Sequence, residues 1–365
     1  MFSGRYKNKK VLVTGHTGFK GSWLCTWLLR MGAEICGYSA GIPTSPANFE
    51  VLGLKDRIRH VDSDVRDRNL LLRTTLDFKP EIVFHLAAQS LVRLSYGDPV
   101  KTFETNVMGT MNVLEAIRRC PSVRAGVIIT SDKCYRNVEW TWGYRENDRL
   151  GGEDPYSASK GCAELVIHSY VNSFFEKGPM IASARAGNVI GGGDWAADRI
   201  VPDAVRAWSG GKPVVIRNPD ATRPWQHVLE PLSGYLLLGE RLLGGDRSAA
   251  GEAFNFGPSA AVNQSVRQLL AGMAGFWPGA EWQVKNAEDG RKESVLLKLC
   301  CDKALNTLGW AAILPFEKTV SMTVDWYRKF YDENNGRPMM DFTVRQIEEY
   351  CAAAREKGLY WALRE

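Results

Sequence analysis

The stretch Val11-Leu-Val-Thr-Gly15-His-Thr-Gly18-Phe-Lys-Gly21 decides the fold. A short apolar run passes straight into three glycines spaced G-x-x-G-x-x-G. Residues 22–32, SWLCTWLLRMG, are then apolar at helical spacing and close on a glycine. Strand, glycine loop and helix in that order open a parallel sheet with helices on its faces. The glycines permit a tight turn and let backbone N–H groups reach a pyrophosphate at a helix N-terminus, whose dipole favours negative charge. A lone pattern of this kind is often just a glycine-rich turn. Its place between the first strand and an amphipathic helix makes dinucleotide binding the better reading. Gly15, Thr17, Gly18, Phe19, Lys20 and Gly21 are the expected cofactor loop.

Outward from this stretch, strands are expected at 35–38, 58–61, 82–87 and 125–130, with helices at 69–78 and 100–120. The alternation predicts the α/β class, a Rossmann-type doubly wound parallel sheet with right-handed crossovers. Beyond Gly191 the texture changes. GGGDW, NPDATRPW and GFWPGAEW mix Gly, Pro and Trp, which suggests a smaller mixed α/β C-terminal substrate lobe. The expected division is a dinucleotide-binding unit at 1–187, with 225–260 folding back onto it, and a substrate-binding unit at 188–365.

The 365 residues suit about two such units. Apolar residues at 45% and charged residues at 24% exclude wholesale disorder and fibrous repeats. Lys plus Arg is 46 against 41 Asp plus Glu, a balance of +5. That permits an anionic small molecule but does not indicate nucleic acid, which needs a clustered basic stripe. No run approaches the ~20 apolar residues of a membrane span, and no secretory h-region follows KNKK. Eight cysteines with no C-x-x-C pair suggest neither a zinc site nor a disulfide framework. No metal is expected, and a cytoplasmic location is.

The choice of dinucleotide is open locally. NAD sites usually carry an acid at the end of the second strand, and here Cys36-Gly-Tyr38-Ser-Ala40 has none. It has no arginine for a 2′-phosphate either, although Lys20 stands in the loop. Asp64-Val65 is either an adenine contact or a solvated turn.

Tyr156 and Lys160 stand at i and i+4 in PYSASKGCAELV, on one face of a helix, and a nearby ammonium stabilises a phenolate. Such a tyrosine can take a proton from a substrate hydroxyl as its carbon is oxidised. Just upstream, at the end of the fifth strand, is Thr130-Ser131-Asp132-Lys133. Ligands of open α/β sheets sit at such strand ends. Neighbours on a regular strand face opposite ways, so Asp132 and Lys133 serve one substrate only if the backbone has already left the strand. The bland alternative is a surface ion pair. The chemical one is an elimination, with protonated Asp132 donating to a leaving hydroxyl and neutral Lys133 taking a carbon-bound proton.

The glycine loop, Tyr156 and Lys160, HLAAQ (85–89) and Asn106-x-x-Gly-Thr-x-Asn112 resemble the extended short-chain dehydrogenase/reductase superfamily. Ser131-Asp132-Lys133, RAGNVIGGGDW (185–195) and RPWQHVLEPLSGYLLL (223–238) are similar to its nucleotide-sugar 4,6-dehydratase branch. The likeness runs almost to Trp310. It implies NAD as cofactor, with contacts from Leu86, Ala87, Ala88, Asp64 and Val65, and CDP-glucose as substrate. It also implies a homodimer or tetramer, paired through helices at 100–120 and 156–175, and a place in deoxysugar synthesis for surface polysaccharide.

In the mechanism so implied, Tyr156, helped by Lys160 and Ser131, deprotonates the sugar 4-hydroxyl during oxidation at C4. Lys133 then removes the C5 proton and Asp132 protonates the departing 6-hydroxyl. Gln89, Asn188, Arg199 and Arg223 are implied substrate contacts, the arginines for the diphosphate, and Glu293 a contact of the nucleoside ribose. Asn188 and Arg223 also read as a turn asparagine and a solvated arginine; Trp225 and His227 read as packing. The segments Lys292-Glu293-Ser294 and Lys298-Leu-Cys-Cys-Asp-Lys303 depart from the branch's pattern, which bears on base selectivity. A 4-epimerase would share the glycine loop, Tyr156 and Lys160 but needs no acid and base at Asp132-Lys133. A dehydratase of dTDP- or GDP-sugars differs only in the nucleotide pocket. A non-catalytic dinucleotide-binding regulator would be expected to lose Tyr156 or Lys160.

Overall fold

The computed structural model describes residues 1–259, 262–285, 296–333 and 338–363. Seven strands form the main sheet: β1 Lys10–Thr14, β2 Glu34–Ser39, β3 Arg59–Asp62, β4 Ile82–His85, β5 Ala125–Ile129, β6 Met180–Arg185 and β7 Ala253–Asn255. Their order is β7-β6-β5-β4-β1-β2-β3, every pairing parallel. The doubly wound parallel sheet is therefore present. Both faces are covered, which is why Val11-Leu12-Val13 and Val127-Ile128-Ile129 read as continuous apolar runs rather than alternating ones.

The helices used below are α1 Phe19–Arg30, α2 Arg68–Phe78, α3 Gly109–Arg119, α4 Pro155–Phe174, α5 Ile200–Ser209, α6 Leu229–Leu243, α7 Phe316–Arg328 and α8 Met340–Glu356. α1 begins three residues before the expected start, because Gly18 caps it from an extended conformation and the glycine loop flows directly into the first turn. The single helix expected at 100–120 is instead a short helix, Pro99–Phe103, a wide π-turn over Glu104–Met108, and α3. At the π-turn Asn106 enters the interior, where Nδ2 donates to Ser159 Oγ at 2.8 Å. Such insertions accompany functional positions.

On one face of the sheet α6 packs against β5 and β6, and β7 joins the edge next to β6. Smaller two-stranded ribbons pair Val189–Ile190 with Gln226–His227, Thr222–Arg223 with Gln264–Ser265, and Val214–Ile216 with Trp282–Val284. Around them Trp195, Trp208, Trp277, Trp326 and Tyr327 are buried together, and Trp23, Trp27, Trp310 and Trp361 fill the space between α1, α6 and α8. Each fully buried aromatic contributes on the order of 2–3 kcal/mol through apolar burial. No helix among the described residues is long and apolar enough to cross a membrane.

The C-terminal helix is held at a buried carboxyl. Glu230 Oε1 accepts from the backbone N–H groups of Ile313 (2.9 Å) and Leu314 (2.6 Å), and Oε2 accepts from Tyr350 of α8 at 2.7 Å. Burial pushes Glu230 from its ordinary 4.5 up to about 7, against the pull of these donors. A carboxyl raised on folding binds more protons folded than unfolded between those two values. Its contribution is therefore fully present at acid pH and is lost as pH rises through about 7, to the extent of roughly 3 kcal/mol. Glu230→Gln, which keeps an acceptor for both N–H groups, should remove this dependence. Unfolding of wild type and variant by urea at pH 5 and pH 8 checks it: wild type should lose stability relative to the variant at the higher pH, and parallel behaviour would refute the assignment.

Candidate active site

Loops leaving the carboxyl ends of β1 to β6 converge on one cavity of about 640 Å³. The glycine loop forms its floor. Gly15 adopts φ +75°, and a Cβ there would stand 2.6 Å from the backbone nitrogen of Ala87. A Cβ on Gly21 would overlap the Gly15 carbonyl. Both glycines are thus required by close backbone approach, and the first-turn residues of α1, Phe19, Lys20 and Gly21, line the cavity. Thr17, Gly18, Phe19, Lys20, Leu86, Ala87, Ala88, Asp64 and Val65 all line it. The residues present fit a dinucleotide: a glycine cradle, a helix N-terminus and an elongated cleft across β1 and β4, where the strand order reverses.

The end of β2 has its own chemistry. Thr17 Oγ1 and Ser39 Oγ share a hydrogen bond of 2.8 Å. Asp64 accepts from the Arg66 side chain at 2.9 and 3.1 Å and from its backbone N–H at 2.9 Å. Burial alone would raise the Asp64 carboxyl, but these donors hold it below its ordinary value. His16 was not singled out from the sequence. Its ring fills the space over Gly37, which is why β2 carries a glycine there, and its Nε2 lies 2.7 Å from His60 Nδ1. Burial, reinforced by His60, pulls His16 down to about 3, so its ring is neutral.

At the end of β5 the backbone does leave the strand. β5 stops at Ile129, and Asp132–Cys134 make one turn of 3-10 helix capped by the Ser131 side chain. Asp132 and Lys133 thereby both reach the cavity, together with Ser131, Tyr156 and Lys160. Ser131 Oγ donates to Asp132 Oδ1 at 2.9 Å. The buried Asp132 carboxyl lies against Gly187, where any side chain would overlap it.

Tyr156 opens α4, whose N-cap Asp154 accepts from the Ser157 N–H at 2.9 Å. Burial pushes the Tyr156 hydroxyl up to about 12, while its hydrogen bond with Ser131 and the Arg199 cation pull the other way. Burial lowers Lys160 to about 8, opposed by Glu164 one turn further along. Lys20 is also lowered to about 8, by burial and then by the neighbouring Arg199 cation. Lys20, Lys133, Lys160, Arg199 and Arg223 outweigh the cavity's Asp64, Asp132, Asp194 and Asp198, which suits polyanionic ligands.

The expected substrate contacts divide. Asn188 lines the cavity at φ +43°, a left-handed conformation that asparagine tolerates. Arg223 lines it from the ribbon Thr222–Arg223, one Nη donating to the Thr222 carbonyl at 2.8 Å. Arg199, at the start of α5, also lines it and is held by Asp194 at 2.7 Å, a partner the sequence reading did not name. Gln89 lies outside the lining: its amide donates to Leu91 O and Thr102 Oγ1, both at 3.1 Å, and its Oε1 accepts from Leu91 N at 2.6 Å. Glu293, with Lys292 and Ser294, falls outside the described residues. His227 is fully buried against Trp23, and Trp225 both packs and lines the cavity.

Fold and site together define a dinucleotide-dependent enzyme of the extended short-chain dehydrogenase/reductase type. The family model described as GDP-mannose 4,6 dehydratase matches residues 12–323, and the chain belongs to that family. It is 46% identical to a CDP-glucose 4,6-dehydratase of Salmonella typhimurium over 355 residues, 95% of this chain and 98% of that one. Among solved structures, an epimerase of Methanothermobacter thermautotrophicus aligns with TM-score 0.78 at 24% identity, covering 91% of this chain and 95% of its own. A UDP-glucose 4-epimerase of Thermus thermophilus in complex with NAD aligns with TM-score 0.76 at 26% identity, covering 87% and 99%.

Gly15→Ala should cost at least ~10-fold in dinucleotide affinity, since the added methyl meets Ala87 and positive φ itself costs on the order of 1–3 kcal/mol. Calorimetric titration of the folded variant checks this; an unchanged Kd would contradict the cradle.

Proposed function

We propose that the protein dehydrates CDP-glucose to CDP-4-keto-6-deoxyglucose and water, with NAD as its cofactor. The observation that carries the reading is the turn at Asp132–Cys134, which brings an acid and an amine to the same cavity as Tyr156 and Lys160. The near full-length likeness to a CDP-glucose 4,6-dehydratase supports the substrate. When bound, NAD would supply the hydride acceptor for oxidation at C4 and, once reduced, the hydride donor for C6. Everything else falls to side chains. Tyr156 takes the 4-hydroxyl proton, with Ser131 orienting it and the Lys160 ammonium stabilising the phenolate. The 4-ketone acidifies the C5 proton, which Lys133 removes. Asp132 protonates the 6-oxygen, which leaves as water, and the Lys133 ammonium, after exchange with solvent, returns a proton to C5. Asn188, Arg223 and Arg199 hold the diphosphate, the arginines through forked donation. A 4-epimerase would leave Asp132 and Lys133 without work.

The test is incubation with CDP-glucose in D₂O, alongside dTDP-, GDP- and UDP-glucose, read by mass spectrometry. CDP-glucose should lose water and gain one deuterium at C5. Asp132→Asn and Lys133→Met should each lose ~10²–10⁴-fold in kcat, the usual worth of a general acid or base. Dehydration of another nucleotide sugar alone would overturn the substrate; intact or merely epimerised sugars would overturn the elimination.

The same reading makes the chain a homodimer. Leu94, Tyr96, Val100, Phe103 and Met108 between β4 and α3, and Leu165 and Phe174 on α4, are exposed large apolar side chains on neighbouring helices. A second copy is the occupant that such a face suits. Sedimentation equilibrium should give a dimer that Leu165→Glu dissociates, and a monomeric wild type would refute it. The eight cysteines are free, which fits a reducing cytoplasm. The product, a 4-keto-6-deoxysugar nucleotide, would feed deoxysugar synthesis for surface polysaccharide.

A further inference from the structure

Ser131-Asp132-Lys133 is flanked by two residues whose side chains enter one buried network. Ahead of it, Thr130 Oγ1 donates to Glu164 Oε1 in a short hydrogen bond. After it, the Tyr135 hydroxyl donates to Asn255 Oδ1 of β7 at 2.8 Å and accepts from Arg185 Nη1 at 2.7 Å. Glu164 and Arg185 close the circuit through an ion pair of 2.7 Å, both side chains 4% exposed. Ser183 Oγ of β6 donates at 2.9 Å to Glu164 Oε2, the oxygen that Arg185 pairs with, and the Arg185 guanidinium lies 5.0 Å from the Tyr135 ring centre. Glu164 stands on α4, four residues after Lys160. The pair thus joins the helix carrying Tyr156 and Lys160 to both ends of the turn carrying Ser131, Asp132 and Lys133.

Buried ion pairs are a poor source of net stability compared with apolar packing, because desolvation offsets their attraction. What this pair offers is fixed geometry. We propose that Glu164 and Arg185 are a positioning pair that sets Ser131-Asp132-Lys133 at its working distance from Tyr156 and Lys160. The proposal rests on the reading of those five residues as reacting groups. Protons must pass at three separate atoms of one bound sugar, the 4-oxygen, C5 and the 6-oxygen, so displacement of either segment by a fraction of an ångström lowers turnover without touching substrate affinity.

Thr130→Val and Tyr135→Phe each remove one anchor without changing charge. Each should lower kcat on the order of 10-fold with KM for CDP-glucose little changed. Glu164→Gln should in addition move the alkaline limb of the kcat profile to lower pH. Glu164 favours the Lys160 ammonium; the other titratable groups facing Lys160 among the described residues include Tyr156 one turn earlier on α4, Cys134, His85 of β4 and Lys20 of α1. Because that variant strands a guanidinium, its folding is checked by circular dichroism; if it does not fold, Glu164→Gln with Arg185→Met replaces it and is read for kcat alone, with a loss on the order of 10-fold expected and wild-type kcat overturning the proposal. Wild-type kcat in both neutral variants, or an unmoved pH profile in the charge variant, overturns the proposal. If Tyr156→Phe and Lys133→Met also leave turnover intact, the reading of the site fails instead.

Discussion

Between Gly15 and Ala87 there is no room for a side-chain carbon. That close approach of two loop backbones at the centre of the sheet is the constraint from which the site grows. β1 and β4 are neighbours, β2 and β3 lie on one side, and β5, β6 and β7 on the other. Asp64 and Val65 on one side of the reversal and the ends of β5 and β6 on the other line the same cavity, and these are the residues that would hold a dinucleotide there. The candidate reacting residues, Ser131, Asp132 and Lys133 after β5 and Tyr156 and Lys160 on α4, meet at the carboxyl end of that sheet.

Burial then tunes what the topology has gathered. The same apolar surroundings raise Tyr156 and lower Lys160 and Lys20, each away from its charged form. A polyanionic ligand reverses part of this, because negative charge stabilises the ammonium groups. The cavity is thus better suited to hold a cofactor and a nucleotide diphosphate together than to stand empty, a linkage between binding and protonation.

Much of this was legible in the chain itself. The glycine spacing, the apolar strands and the Tyr156–Lys160 pair are local signals, each read within a few residues, and the parallel sheet follows from their alternation. The condition placed on Asp132 and Lys133, that the strand end before them, was also a local argument, and the structure meets it. Pairings across the fold were hidden. His16 over Gly37, Asp194 on Arg199 and Glu164 with Arg185 join residues whose proximity exists only once the sheet has formed. The helix at 100–120 looked uninterrupted because a π-turn keeps the apolar periodicity roughly intact while admitting Asn106 to the interior. Gln89 sits in a motif beside the site, yet its amide is consumed by its own loop, a fact that only hydrogen-bond accounting reveals.

The central claim is that one closed site oxidises C4, eliminates water and reduces C6 without releasing anything between. Turnover of CDP-glucose carrying deuterium at C4, mixed with undeuterated substrate carrying carbon-13, tests it most directly. The account predicts deuterium at C6 of the same molecules that lost it from C4, with no carbon-13 product acquiring the label. Deuterium lost to solvent, or scrambled onto carbon-13 product, would contradict it.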